Sequence, residues 1–215
     1  MINWFLDMCV IIYYAYNSSD KLAERAKKFV ENKGNSTFTV CYYILEINLP
    51  KWIKRKWITL EELERKIKDP SYIFGSSSEA RILLPKDRQE CEKLLSTCMK
   101  AESSVQFIED LRRKYLLAEI KINFFINKLI NNKVIPVSEI DFELKSSFFT
   151  YLENNDSDAR TLASAVQQHN KENLIILTGD KKHWTKQLLD DAVSIHPTLR
   201  KKYSKIPEIK YLQDL

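Results

Sequence analysis

Glycine, histidine and methionine are what this chain has least of, three of each in 215 residues. So little glycine leaves no Gly-rich loop of the kind that cradles a nucleotide phosphate, and it points to a chain rich in helix. The histidines, His169, His183 and His196, are not spaced as metal ligands. The four cysteines, Cys9, Cys41, Cys91 and Cys98, contain no C-x-x-C pair. They read as reduced, mostly buried thiols of a cytoplasmic protein, which argues against a disulfide framework or a zinc centre. No apolar run approaches the roughly 20 residues of a membrane span. The apolar start is interrupted by Asp7 and has neither a basic segment nor a cleavage site beside it. No Ser or Cys nucleophile motif, internal repeat or low-complexity tract is present. A soluble protein without membrane business is expected.

The length suits one domain with an insertion. Lys and Arg exceed Asp and Glu by 34 to 29. That surplus is compatible with a nucleic-acid partner, but it is too common among soluble proteins to argue for one.

The stretch Asp156–Trp184 organises the rest. Asp156 or Ser157 can cap a helix whose small residues Ala159, Ala163, Ser164 and Ala165 allow close packing on a sheet. Leu174–Thr178 (LIILT) is a short apolar run between polar turns, as in a strand covered on both faces. Gly179 then turns the chain and leaves Asp180 at the strand's carboxyl end, the edge where open α/β sheets bind ligands. Earlier, Ile2–Leu6 reads as a strand ending at Asp7, and MCVIIYYAY fits either a buried helix or more strand. Ser18–Lys33 is an amphipathic helix capped by Ser18 or Ser19. Thr37–Cys41 alternates as a strand, and the helical turn that follows carries Glu46 and is expected to stop at Pro50.

From about 50 to 131 the pattern is helical. KWIKRKW is basic and aromatic, Thr59-x-x-Glu62 reads as a capping box, and 69–86 is loop-like. Two long helices follow, at Asp87–Ala101 and Ser104–Asn131. The segment is either a subdomain or a flap over the sheet edge. Val134–Val137 then predicts a strand, Phe142–Leu152 a helix and Ala192–Ile195 a short strand. The tail Ile209–Leu215 predicts an edge strand or a final turn. Strands alternating with helices predict a parallel sheet.

Asp7, Glu46, Asp158 and Asp180 each fall at a strand's carboxyl end or the start of the next helix. Four carboxylates drawn together repel unless a cation neutralises them. Oxygen ligands of this kind suit Mg²⁺ or Mn²⁺. Such a metal polarises a phosphodiester and generates a hydroxide near neutral pH.

FLDMCVII at the first strand, the Glu in CYYILEI, DARTLASA opening a helix, and LTGDKKHW after a strand together resemble the PIN domain (PilT N-terminal) nuclease family. The resemblance covers 1–49 and 132–215, with 50–131 as a helical insertion into a single PIN-like domain. It implies a three-layer α/β/α fold with a mostly parallel central sheet, and a metal-dependent endoribonuclease. Asp7, Glu46, Asp158 and Asp180 would be the catalytic metal ligands, Thr178 would orient Asp180, and Asp156 is a candidate fifth acid. His183 and Trp184 fall where the family carries an aromatic residue packed beneath the site. Two departures stand out. Met8 and Cys9 replace the polar residues that commonly follow the first acid, and Gly179 replaces a common Asn. The family also includes toxins held by a protein inhibitor, so RNA, an antitoxin and a second copy of the chain are the partners implied. A catalytically weak PIN-like binding module is the alternative. Lys51, Lys54, Arg55 and Lys56, interleaved with Trp52 and Trp57, are either an RNA-contacting face or a solvated helix face.

Overall fold

Asn3–Leu6 (NWFL) is a run of mainly large apolar side chains that ends at a carboxylate, and it forms β1. In the computed structural model, which describes residues 2–16 and 20–215, β1 is the middle strand of a five-stranded sheet. Its order is β3-β2-β1-β4-β5, with β2 at Thr37–Cys41, β3 at Ile130–Ile135, β4 at Ile175–Thr178 and β5 at Glu208–Tyr211. Every neighbouring pair is parallel.

Parallel strands need crossovers, and right-handed crossovers fix which face each helix covers. The chain steps outward from β1 to β2 and β3, then returns past β1 to β4 and β5. Helices of the outward leg therefore lie on one face: α1 (Met8–Ala15), α2 (Lys21–Glu31) and the end of α5 (Ser104–Lys128). Those of the return leg lie on the other: α6 (Phe142–Tyr151), α7 (Asp156–Lys171), α8 (Lys186–Ser194) and α9 (Pro197–Lys202). The result is a three-layer α/β/α fold.

Packing follows from register. Trp4 pairs with Phe38, so both point to the first face. There Phe29 of α2 meets Trp4 edge-on at 4.9 Å and Phe38 at 5.6 Å. Phe125 of α5 stacks on Phe38 at 6.0 Å and touches Tyr14 of α1 at 5.4 Å. On the opposite face Cys41 reaches Thr161 of α7, whose Ala159, Ala163, Ser164 and Ala165 are all buried. Small side chains there let the helix axis approach the sheet. Ser147 of α6 donates to the Ala192 carbonyl at 2.6 Å, which ties α6 to α8.

Several sequence expectations change. MCVIIYYAY is helical throughout α1: the ladder ends where the Asp7 N–H donates to Leu177 O, and Val10 N–H then returns to Asp7 O. The proposed caps Ser18 and Ser19 lie outside the described residues, and Asp20 caps α2 by accepting from Leu22 N–H at 2.9 Å. Asn155, not Asp156 or Ser157, caps α7. The strand expected at Val134–Val137 is β3, which begins at Ile130 and takes the residues assigned to the end of α5. Ala192–Ile195 is the end of α8, because Leu189, Ala192 and Val193 keep helical spacing of buried side chains.

The chain divides into two compact units, one built from the chain up to Leu49 and from Lys121 onward, the other from Pro50–Ile120. The second unit contains α3 (Leu49–Lys68), α4 (Pro85–Lys100) and the first part of α5. Pro50 does not stop a helix. It lies where a π-helical turn, Ile44–Asn48, runs on into α3, and the helix continues past it. Thr59 is no cap either: it lies mid-helix, buried, and returns its hydroxyl to Arg55 O at 2.8 Å. Its expected partner Glu62 is fully buried and holds the following loop. It accepts from Tyr72 Oη at 2.9 Å, Ser77 Oγ at 2.5 Å and Gly75 N–H at 2.6 Å, and pairs with Arg65 at 3.1 Å. Ile58, Ala80 and Leu83 pack beneath that loop with Phe74.

Candidate functional site at the carboxyl edge of the sheet

The sheet reverses its winding between β1 and β4. Helices leave these two strands toward opposite faces, and the carboxyl ends between them open a crevice. Asp7 is the residue after β1, and Asp180 follows Thr178, the last residue of β4, by two. Thr178 is fully buried and joins the two acids: its hydroxyl donates to Asp7 Oδ2 at 2.7 Å and accepts from Asp180 N–H at 3.0 Å. A threonine at this place therefore orients the Asp7 carboxylate and fixes the backbone of Asp180 at once.

Cys9 is the polar neighbour that Asp7 seemed to lack. Its thiol donates to Asp7 Oδ2 at 2.9 Å, and its sulfur accepts from Gly179 N–H at 3.0 Å. Burial, and then the Asp7 charge, push this thiol well above its usual range, so it stays protonated as a donor. A larger residue in place of Gly179 would crowd it: a Cβ there would stand 3.3 Å from both Cys9 Sγ and the Tyr13 ring.

Asp158 enters from the first turn of α7. The Asn155 cap holds it from two sides, donating to Asp158 Oδ2 at 2.8 Å and accepting from its N–H at 3.2 Å. The buried Trp184 side chain also hydrogen-bonds it. Burial, then repulsion from Asp7 and Asp180, raises its carboxyl to about 6. Asp7 is raised as well, by burial, against the opposing bonds from Cys9 and Thr178. For Asp180 burial pulls upward, but the His183 and Lys182 N–H groups and the His183 ring outweigh it and hold the carboxyl below its usual value. His183 Nδ1 lies 2.9 Å from Asp180 Oδ2.

Three of the four expected acids, Asp7, Asp158 and Asp180, are thus close enough to perturb one another. Glu46 is exposed on a π-helical segment, Ile44–Asn48, where it hydrogen-bonds Tyr42. The same segment reaches the start of α7 through Asn48, which donates to Ser157 Oγ at 2.7 Å. Asp156 is engaged elsewhere: Arg160 at 2.6 Å and Lys145 at 2.8 Å hold its carboxyl below the usual range. In the second unit Lys51 and Lys54 are exposed. Arg55 pairs with the buried Asp87 at 3.0 Å, and Lys56 is buried against Glu90.

Mutually repelling carboxylates on a partly buried edge are the donor chemistry that suits a hard divalent cation. Asp7, Asp158 and Asp180 fit that role in kind. Among the described residues, however, no three His, Cys, Asp or Glu side chains close round one point as a metal-holding group. The sequence reading passed over Cys9 and Asn155 as partners of the acids and gave His183 only a packing role. Asn155 had a signal, since N-D-S-D before a helix offers an Asn cap. So did His183, three residues after an acid in a turn.

No helix among the described residues is long and apolar enough to cross a membrane. No family model, no curated protein and no solved structure matches the chain.

Proposed function

We propose that the chain is a metal-dependent nuclease of the PIN type, an endoribonuclease that hydrolyses phosphodiester bonds at the Asp7, Asp158 and Asp180 edge. The observation that carries the reading is the raised Asp158 carboxyl beside Asp7 and Asp180, set at the switch point of a parallel sheet. The residues that would hold Mg²⁺ or Mn²⁺ are these three, with Glu46 as a fourth acid from the adjoining π segment. Bound there, the ion would lower the pKa of a water and draw charge from the phosphate oxygens. The chain's own part is orientation. Thr178 and Cys9 fix the rotamer of Asp7, the Lys182 and His183 N–H groups fix Asp180, and Asn155 fixes Asp158. A toxin held by a small inhibitor protein is the biological setting we propose for this activity. Induced expression should arrest growth, and Asp180→Asn should abolish the arrest.

The decisive experiment incubates purified protein with mixed structured and single-stranded RNA in Mg²⁺, in Mn²⁺ and in chelator. Cleavage should require metal and fall at least about a hundredfold in Asp7→Asn and in Asp180→Asn. Cleavage that persists in chelator or in both variants refutes the reading.

One observation favours a second reading, a PIN-like binding module with little catalysis. Asp180 is already satisfied by His183 and two backbone N–H groups, and among the described residues no three-ligand group is formed. That module binds RNA equally well with and without metal.

A further inference from the structure

A cleft of 520 Å³ opens beside Asp158, between the turn that joins α6 to α7 and the segment after Asp180. Its volume falls in the range of small-ligand sites, and its walls differ in chemistry. Tyr151 and Leu188 give it apolar surface, Glu153 and Asp158 give it carboxylates, and Lys182 and His183 stand exposed on the remaining side. Lys182 makes no ion pair among the described residues, unlike its neighbour Lys181, which is bound to Asp214 at 2.6 Å. The turn that presents Glu153 closes α6. Glu153 (φ 52°) and Asn154 (φ 67°) both take the left-handed conformation that commonly ends a helix, and Asn154 N–H returns to Phe149 O at 3.0 Å.

This lining discriminates between the two parts of a nucleotide. A phosphate is repelled from a wall bearing two carboxylates and held by a lysine at the opening. A neutral base enters, stacks on an aromatic ring, and is favoured if its edge carries a donor for a carboxylate. We propose that this cleft is a base-binding subsite for single-stranded RNA, which seats one amino-bearing base against Tyr151 with its exocyclic amine on Glu153 and its phosphate at Lys182. The subsite rests on the nuclease reading for its substrate class; on that reading the neighbouring phosphodiester would meet Asp158 only through the divalent cation held there. Adenine, cytosine and guanine have the amine; uracil offers only its N3–H, flanked by two carbonyl oxygens that a carboxylate repels.

The test measures fluorescence anisotropy of 5′-labelled adenylate, cytidylate and uridylate octamers with the full chain in EDTA. The adenylate and cytidylate octamers should bind at least about fivefold tighter than the uridylate. Glu153→Gln should abolish that difference, since an amide both donates and accepts. Tyr151→Ala should weaken the adenylate and cytidylate octamers at least about fivefold, the range of a lost base–aromatic stack. Lys182→Ala should reduce the salt dependence of binding. Circular dichroism checks that each variant is folded. Equal binding of the three octamers, no binding in EDTA, or wild-type binding by Tyr151→Ala and Lys182→Ala overturns the proposal. Adding Mg²⁺ separates the two readings. Base preference without cleavage leaves the subsite standing and removes the nuclease. Cleavage without base preference does the reverse.

Discussion

Asp158 is the residue at which crowding of charge is most exposed to measurement. Its carboxyl sits at about 6 in the folded chain against an ordinary 3.8. Between those values the native state keeps a proton that the unfolded chain has given up. By linkage, the contribution of this one group is therefore fully present below about pH 4 and is lost as pH rises through about 6. In EDTA, Asp158→Asn should remove this component from the pH profile of thermal unfolding. It should also raise the melting temperature at pH 7, by about 3 °C for each kcal/mol relieved. Mg²⁺ should raise the wild-type melting temperature and leave that of the variant nearly unchanged. A profile identical to wild type would mean that the three acids do not feel one another. Thr178 offers a second probe. Thr178→Val removes the hydroxyl that serves both Asp7 and Asp180, and should cost about 10- to 100-fold in cleavage rate, with Thr178→Ser restoring most of it. The acids were legible in the sequence because each follows a strand or opens a helix. The bonds from Cys9, Asn155 and His183 were less so, since they depend on how tight turns fold back on the acids.

At the scale of elements, the short strands and the helices flanking them were legible from apolar runs and turn residues. α3 was misread because local rules compete with helix continuation. Pro50 and Thr59-x-x-Glu62 look like a stop and a start, yet a proline just after a π-helical turn and a threonine bonded to the preceding turn both fit an unbroken helix. Glu62 was then free for a tertiary task that no local pattern reveals, pinning the 69–79 loop from a fully buried position. Glu62→Ala should destabilise the second unit by about 3 kcal/mol, because Tyr72, Gly75 and Ser77 lose a shared acceptor. Hydrogen exchange should locate the damage: the Gly75 amide should exchange much faster, while amides of β1 and β4 keep their protection.

For the whole molecule, sheet order was the part out of reach, since pairing β1 with β4 joins segments about 170 residues apart and no local pattern encodes it. The tryptophans give each unit its own reporter: Trp4 and Trp184 lie in the first, Trp52 and Trp57 in the second. Phe125→Ala empties the aromatic stack over Phe38 and should cost about 3–5 kcal/mol. In Trp→Phe backgrounds, the urea midpoint should move in the Trp4/Trp184 signal and stay in the Trp52/Trp57 signal. Equal movement of both would show that the units unfold together. The outer strand β5 has a further consequence. It is four residues long, places Glu208 and Lys210 alternately, and gives way at once to the turn Leu212–Asp214. A rim that short and charged is a poor template for another backbone. Self-association through that side would have to desolvate the ion pair for very few new ladder bonds, so this margin resists fibre-like stacking even in concentrated solution.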